Sequence, residues 1–198
     1  MDPISRAAAS LLTDAPSTDA RTTAAPHPDT PPSDAHTPEV HIPDARGINL
    51  FGADPHAAPL LRLYLGERLY DHLHPHVHRL GALAGGVLDE LASTADKHPP
   101  TLAVRNRQGQ DGSFVHKHPA YVELERLAYS EFGLAAMSHR GGVLGWPEPL
   151  PPAAKYALTY LFVQAEFGLC CPVSMTDSLA RTLRKFGRPE LVLSLIHI

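Results

Sequence analysis

From Asn49 onward, apolar positions recur at three- and four-residue spacings, the period of helices with one buried face. Leu60, Leu61, Tyr64, Leu65 and Leu69 form one stripe; Val77, Leu80, Leu83, Val87, Leu88 and Leu91 form a second, which residues 97–100 close. The polar stretch 105–113 reads as a loop. Pro119 stands where a helix tolerates proline best, in its first turn, and Tyr121, Leu124, Leu127, Ala128, Phe132 and Ala135 follow on one face. Residues 141–152, GGVLGWPEPLPP, predict a long loop with Trp146 as its anchor.

A fourth helix is predicted to open at Pro151 or Pro152 and to run through Tyr156, Tyr160, Leu161 and Phe167 to Gly168. Pro172 in GLCCPV then predicts a break. A last helix is predicted with Ser174 as N-cap and Asp177 in its first turn, where a carboxylate meets free amides. Met175, Leu179, Leu183 and Phe186 are its expected buried face, and Gly187 with Pro189 its stop. No alternating β-branched run of useful length occurs. The pattern therefore predicts an all-α class, a partial helical bundle.

Composition divides the chain. Of its 198 residues 43% are hydrophobic, and eight of the 20 prolines precede Gly47. Residues 1–46 are built from Ala, Pro, Thr, Ser and Asp, with only Ile4, Leu11, Leu12, Val40 and Ile42 as larger aliphatics, too little to offset the entropy of ordering them. The expected organisation is a disordered acidic tail over 1–46, an incomplete helical domain over 47–192 and a non-native end over 193–198. That end, LSLIHI, resembles a translated adapter, so native sequence is expected to stop a few residues after Gly187. The tail holds seven acids and three bases and so carries the whole net charge of −4; the remainder has 14 of each. This balance gives no support to a strongly basic nucleic-acid surface. Two adjacent cysteines, Cys170 and Cys171, cannot form a disulfide framework and point to a reducing, cytoplasmic setting. No apolar run is long enough to span a bilayer.

Several groups could carry chemistry. His72, His74, His76 and His78 would pair as 72/76 and 74/78 on a helix, a spacing that can ligate zinc, but Pro75 is expected to interrupt that helix and no further ligand is evident. A solvated or partly packed helix entry is the better reading. Cys170 and Cys171 read as packing residues, without a neighbouring cation to lower their pKa. Glu166 reads as a structural acid, salt-bridged or capping. Arg181, Arg184, Lys185 and Arg188 form a short basic face that could meet phosphate, although solvated helix C-termini commonly carry such residues. No GxGxxG, GxxxxGKS, GxSxG or HExxH occurs.

The run QAEFGLCCPVSMT resembles a signature of the AidB-like branch of the acyl-CoA dehydrogenase family, with Gln164, Glu166, Gly168, Cys171, Pro172, Met175 and Thr176 in matching places. Further matches follow the same order: Asn49, Leu50, Phe51, Asp54 and Pro55; Pro99, Pro100 and Leu102; Gly109, Val115, His118, Pro119, Ala120 and Tyr121. The resemblance spans roughly residues 49–191 and leaves out the tail. It implies the N-terminal helical domain of a cytoplasmic FAD-dependent flavoenzyme acting on an acyl-CoA thioester. Relatives are tetramers, and the flavin and the catalytic carboxylate are held by downstream segments. The alternative it implies is a DNA-associated alkylation-response protein with residual dehydrogenase activity, its DNA contacts in a basic C-terminal region. On this reading the chain contains no catalytic, flavin-binding or metal-binding residue and is inactive alone. Cys171, Met175 and Thr176 are its expected contributions to the wall of the substrate cavity.

Overall fold

A computed structural model describes residues 44–194; residues 1–43 of the tail expected over 1–46, and residues 195–198 of the end expected over 193–198, lie outside the described residues. Helices dominate: α1 (Leu50–Ala53), α2 (Ala57–Leu65), α3 (Glu67–Ala84), α4 (Val87–Lys97), α5 (Pro119–Glu125), α6 (Pro152–Ala165), α7 (Cys170–Phe186) and α8 (Pro189–Ser194). Helix α3 is the axis, with α1, α2, α4 and α6 packed around it, and α5 lies against α4.

The second predicted stripe is the centre of the core, with Val77, Leu80, Leu83, Leu88 and Leu91 all buried. It spans two helices, because Gly85 and Gly86 break the chain between α3 and α4. Glycine is required at two points here. A Cβ at Gly85 would overlap the carbonyl of Ile48, and one at Gly81 would reach 2.7 Å from the Phe51 amide. This close approach lets Asn49 cap α1 through Oδ1, which accepts from the amides of Phe51 and Gly52, while its Nδ2 donates to the His78 carbonyl at 2.9 Å.

Helix α3 runs through Pro75 without interruption, contrary to the break expected there. The missing amide costs one intrahelical bond. Burial of Leu73, Val77 and Leu80 on either side of it holds the helix together. The first stripe is split by Gly66, and only Leu61 of its members is buried, while Leu60 and Tyr64 are exposed.

The stretch 105–113, expected to be a loop in an all-α chain, belongs to a two-stranded antiparallel hairpin, β1 (Thr101–Arg105) and β2 (Asp111–His116). Its turn is held by Asn106, whose Oδ1 accepts from the Gln108 and Gln110 amides. Gly109 there takes φ +79°. Leu102, Val104, Phe114 and Val115 are exposed, so no alternation between a buried and a wet face marks these strands. The chain is thus mostly helical, with one small hairpin.

The face from Tyr121 to Ala135 is buried as expected, with Tyr121 packed at its edge. Its helix is α only to Glu125, and one π turn, Arg126–Glu131, follows, in which the Phe132 amide bonds the Leu127 carbonyl. Trp146 anchors its loop as predicted: it packs on the core, 5.0 Å from the His72 ring, with the Arg68 guanidinium carbon 5.2 Å from its own ring centre. Leu144 beside it takes φ +53°, and its carbonyl accepts from His72 Nε2 at 2.9 Å.

Candidate functional site

The resemblance centres on α6, α7 and the turn joining them, and here the structure departs most from expectation. Helix α6 opens at Pro152 but ends at Ala165, short of Gly168, and Phe167 is exposed. Glu166 has a capping role: its Oε1 accepts from the Leu169 amide at 3.0 Å, three residues on. Helix α7 already begins at Cys170, so Pro172 sits in its first turn instead of ending a helix. Ser174 is therefore inside the helix, and Asp177 is two turns in, away from the free amides.

Of the predicted buried face of α7 only Leu183 is half-buried, and the other three members point outward. Met175 is 71% exposed, Leu179 50% and Phe186 76%. The buried positions are Val173 and Asp177. Asp177 is 7% exposed and meets Lys155 of α6, itself 5% exposed, with Nζ to Oδ2 at 2.5 Å. His139 Nε2 donates to Asp177 Oδ1 at 2.8 Å, and Arg181 lies 3.7 Å from the same oxygen. Arg184 donates to the His139 carbonyl, tying the end of α7 to the turn before the Trp146 loop. Burial pushes the Asp177 carboxyl up, but Lys155 and His139 outweigh it and hold the group below the ordinary range. A partnered buried carboxylate stays charged and fixes a helix in place. Only a lone cation in the apolar run AAKYAL hinted at this network.

Cys171 and Met175, one turn apart, share the outward face of α7, and both are exposed. Cys171 is thus not the packing cysteine expected, whereas Cys170 is half-buried. Thr176 turns to the flank: its hydroxyl donates to the Pro172 carbonyl at 2.8 Å and lies beside the Tyr129 hydroxyl of the π turn. Burial raises the Tyr129 pKa, so this group is a neutral hydroxyl.

The same π turn is bracketed by charges. Arg79 donates to Glu131 at 2.6 Å, and Arg126 bonds both Glu123 and Glu131. His72 pairs with His76, and His74 with His78, at ring separations of 5.8 and 6.0 Å, as helical spacing requires. Burial, then His72, lowers the His76 pKa. Among the described residues no three His, Cys, Asp or Glu side chains form a metal-binding group.

A separate groove of about 460 Å³ lies between α1, α2 and α6, lined by Phe51, Leu60, Leu61, Tyr64, Tyr160 and Leu161, with Asp54 as its charged group. Neither this groove nor the shallower one beside Arg62 and Tyr70 offers the array of backbone amides or cations that a dinucleotide diphosphate needs. Neither groove by itself fits FAD.

These features define a helical domain with an exposed apolar helix face beside an internal ionic anchor. Residues 41–196 match the family described as "Adaptive response protein AidB N-terminal domain", and the chain belongs to that family. Its fold is similar to that of the solved structure described as "Bd2924 apo-form", with a TM-score of 0.63 at 23% identity over 75% of this chain. The chain spans 28% of that structure's length. Among curated proteins no match is found. Among the described residues no helix is long and apolar enough to cross a membrane.

Proposed function

We propose that this domain is the N-terminal helical part of a FAD-dependent, acyl-CoA dehydrogenase-like oxidoreductase acting on the CH–CH bond of an acyl-CoA thioester. The observation that supports this reading, beside the family match, is the outward apolar face of α7. A helix at a protein surface places its apolar stripe inward. Here Asp177 faces inward and Met175, Leu179 and Phe186 face outward. Such a helix suits a position between two bodies, held on one side by the ionic anchor and covered on the other by the rest of a larger protein.

On this reading Cys171 and Met175 present apolar surface to the acyl cavity, and Thr176 sets the flank of the helix against Tyr129. Neither carboxylate of this region is free to take a substrate proton, because Glu166 caps the turn before α7 and Asp177 is bonded to Lys155 and His139. The base and the flavin site belong to segments outside this domain. Flavin would supply the redox chemistry, and this domain would orient the acyl chain and exclude water. A homotetramer and a cytoplasmic setting belong to the same proposal. The test is anaerobic mixing of the full-length protein with acyl-CoA thioesters. Bleaching of bound flavin supports the reading, and unaltered flavin with every chain length opposes it.

A further inference from the structure

Helices α2 and α6 leave an open seam between them. Ala57, Leu60, Leu61 and Tyr64 line one wall at spacings of three, four and seven, and the stretch of α6 from Ala153 to Leu161 lines the other. Leu61 and Leu161 are buried in its floor, whereas Leu60, Tyr64 and Tyr160 hold their apolar surface in water at the rim. Each wall runs about 10 to 12 Å along its helix. A contiguous apolar surface of this kind marks a place that something covers. Its one charged group, Asp54, accepts from the His56 amide at 2.8 Å, and no cation lines it to hold the carboxylate or phosphate head of a free acyl ligand. The groove therefore suits an occupant whose contact is wholly apolar and about 12 Å long.

The chain itself contains such a segment. Ile4, Ala7, Ala8, Leu11 and Leu12 stand at intervals of three, four, seven and eight, one stripe of a helix, while Ser5, Arg6, Ser10 and Thr13 fall outside it. Asp2 and Pro3 are the residue types of an N-cap and a first helical position. From Ile4 to Leu12 the stripe measures about 12 Å, the length of the groove. Residues 13–39 contain no Leu, Ile, Val, Met, Phe, Tyr or Trp, so this stripe is set apart from the domain by a Pro-rich spacer. A helix this short does not hold in water alone. Laid between α2 and α6, it gains the apolar partner that the tail lacks.

Tethering makes weak docking sufficient. Asp44, the first described residue, precedes Leu50 at the groove by six residues, at most about 20 Å of chain. Residues 13–43 span about 30 Å as a coil, and a tether of that size holds its end near the groove at an effective concentration in the millimolar range.

We propose that residues 3–12 fold back as an amphipathic helix and seat the stripe from Ile4 to Leu12 in the groove between α2 and α6 of the same chain. This docking is independent of the flavoenzyme reading, since it uses none of Cys171, Met175 and Thr176.

The test places the photoreactive residue benzoylphenylalanine at position 11 of the 198-residue chain and maps the crosslinks by mass spectrometry, with isotopically heavy and light chains mixed. Crosslinks are expected within one chain, to peptides spanning residues 57–64 and 153–161, and the same probe at position 24 should give at least fivefold fewer of them. Adding Ile4→Asp/Leu12→Asp should lower the yield at least tenfold, as should Leu60→Asp at the rim, with circular dichroism checking that each variant is folded. Hydrogen exchange tests the unlabelled chain directly: amides of residues 5–12 should exchange at least tenfold more slowly than in Ile4→Asp/Leu12→Asp. Absence of the crosslinks, crosslinks to α7 instead, crosslinks only between heavy and light chains, or exchange equal in parent and variant would each overturn the proposal.

Discussion

Lys155 Nζ and Asp177 Oδ2 lie 2.5 Å apart beneath the surface, joining α6 to α7 through charges beside the buried Val173. Removing one member of a buried pair strands the other, which costs about 3 kcal/mol or more. Asp177→Ala should therefore lower the unfolding free energy by about 3 kcal/mol, roughly 8 °C in Tm for a domain of this size. The double variant Lys155→Met/Asp177→Leu should recover much of that loss. Denaturant titration checks both, and a loss below about 1 kcal/mol for Asp177→Ala contradicts the anchor.

The same carboxylate sets an acid limit. Asp177 is held below its ordinary pKa by Lys155 and His139 against the opposing effect of burial, and Glu131 is held below its own, chiefly by Arg79. A carboxylate whose folded pKa is depressed contributes stability that is present above its unfolded pKa and is lost as pH falls through the folded one. Tm should therefore fall as pH is lowered from about 5 toward 2, and less steeply in Asp177→Asn. A Tm that holds steady or rises over that window would count against both ion pairs.

Much of this architecture is legible in the sequence where burial follows a helical period. The rows through Val77, Leu80 and Leu91 and through Leu124, Leu127 and Phe132 are buried as their spacing predicts, and Trp146 anchors its loop. Periodicity fails where the apolar face is not the inward one. For α7 three of the four predicted inward residues, Met175, Leu179 and Phe186, point outward, because Asp177 finds Lys155 from a helix 22 residues earlier, a pairing that no local pattern encodes. Pro172 and Pro75 mislead for a related reason: proline ends helices on propensity, but a first-turn position accommodates one and a buried flank carries the other. The hairpin escapes notice because its strands have no buried face.

Gly81 tests the packing of α1 on α3. Alanine is favoured over glycine inside a helix by about 1 kcal/mol. A Cβ at this position, however, would reach 2.7 Å from the Phe51 amide and press on Asn49. Gly81→Ala should destabilise the chain by about 2 kcal/mol, as overpacking does. A stabilised variant in thermal unfolding would show that α1 does not sit as described.

The outward face of α7 should be dispensable for folding of this domain. Met175→Gln, Leu179→Gln and Phe186→Gln together should change stability by less than about 1 kcal/mol, because exposed side chains contribute little. They should also reduce self-association seen by light scattering. A loss above about 2 kcal/mol would mean that the face is packed within the domain, and would remove the physical support for a covering body.

Flavin content tests the central claim most directly. Purified as it stands, the 198-residue chain should carry no absorbance near about 450 nm, while the full-length protein containing this domain should hold about one FAD per chain. Stoichiometric flavin on the 198-residue chain, or none on the full-length protein, would contradict the account.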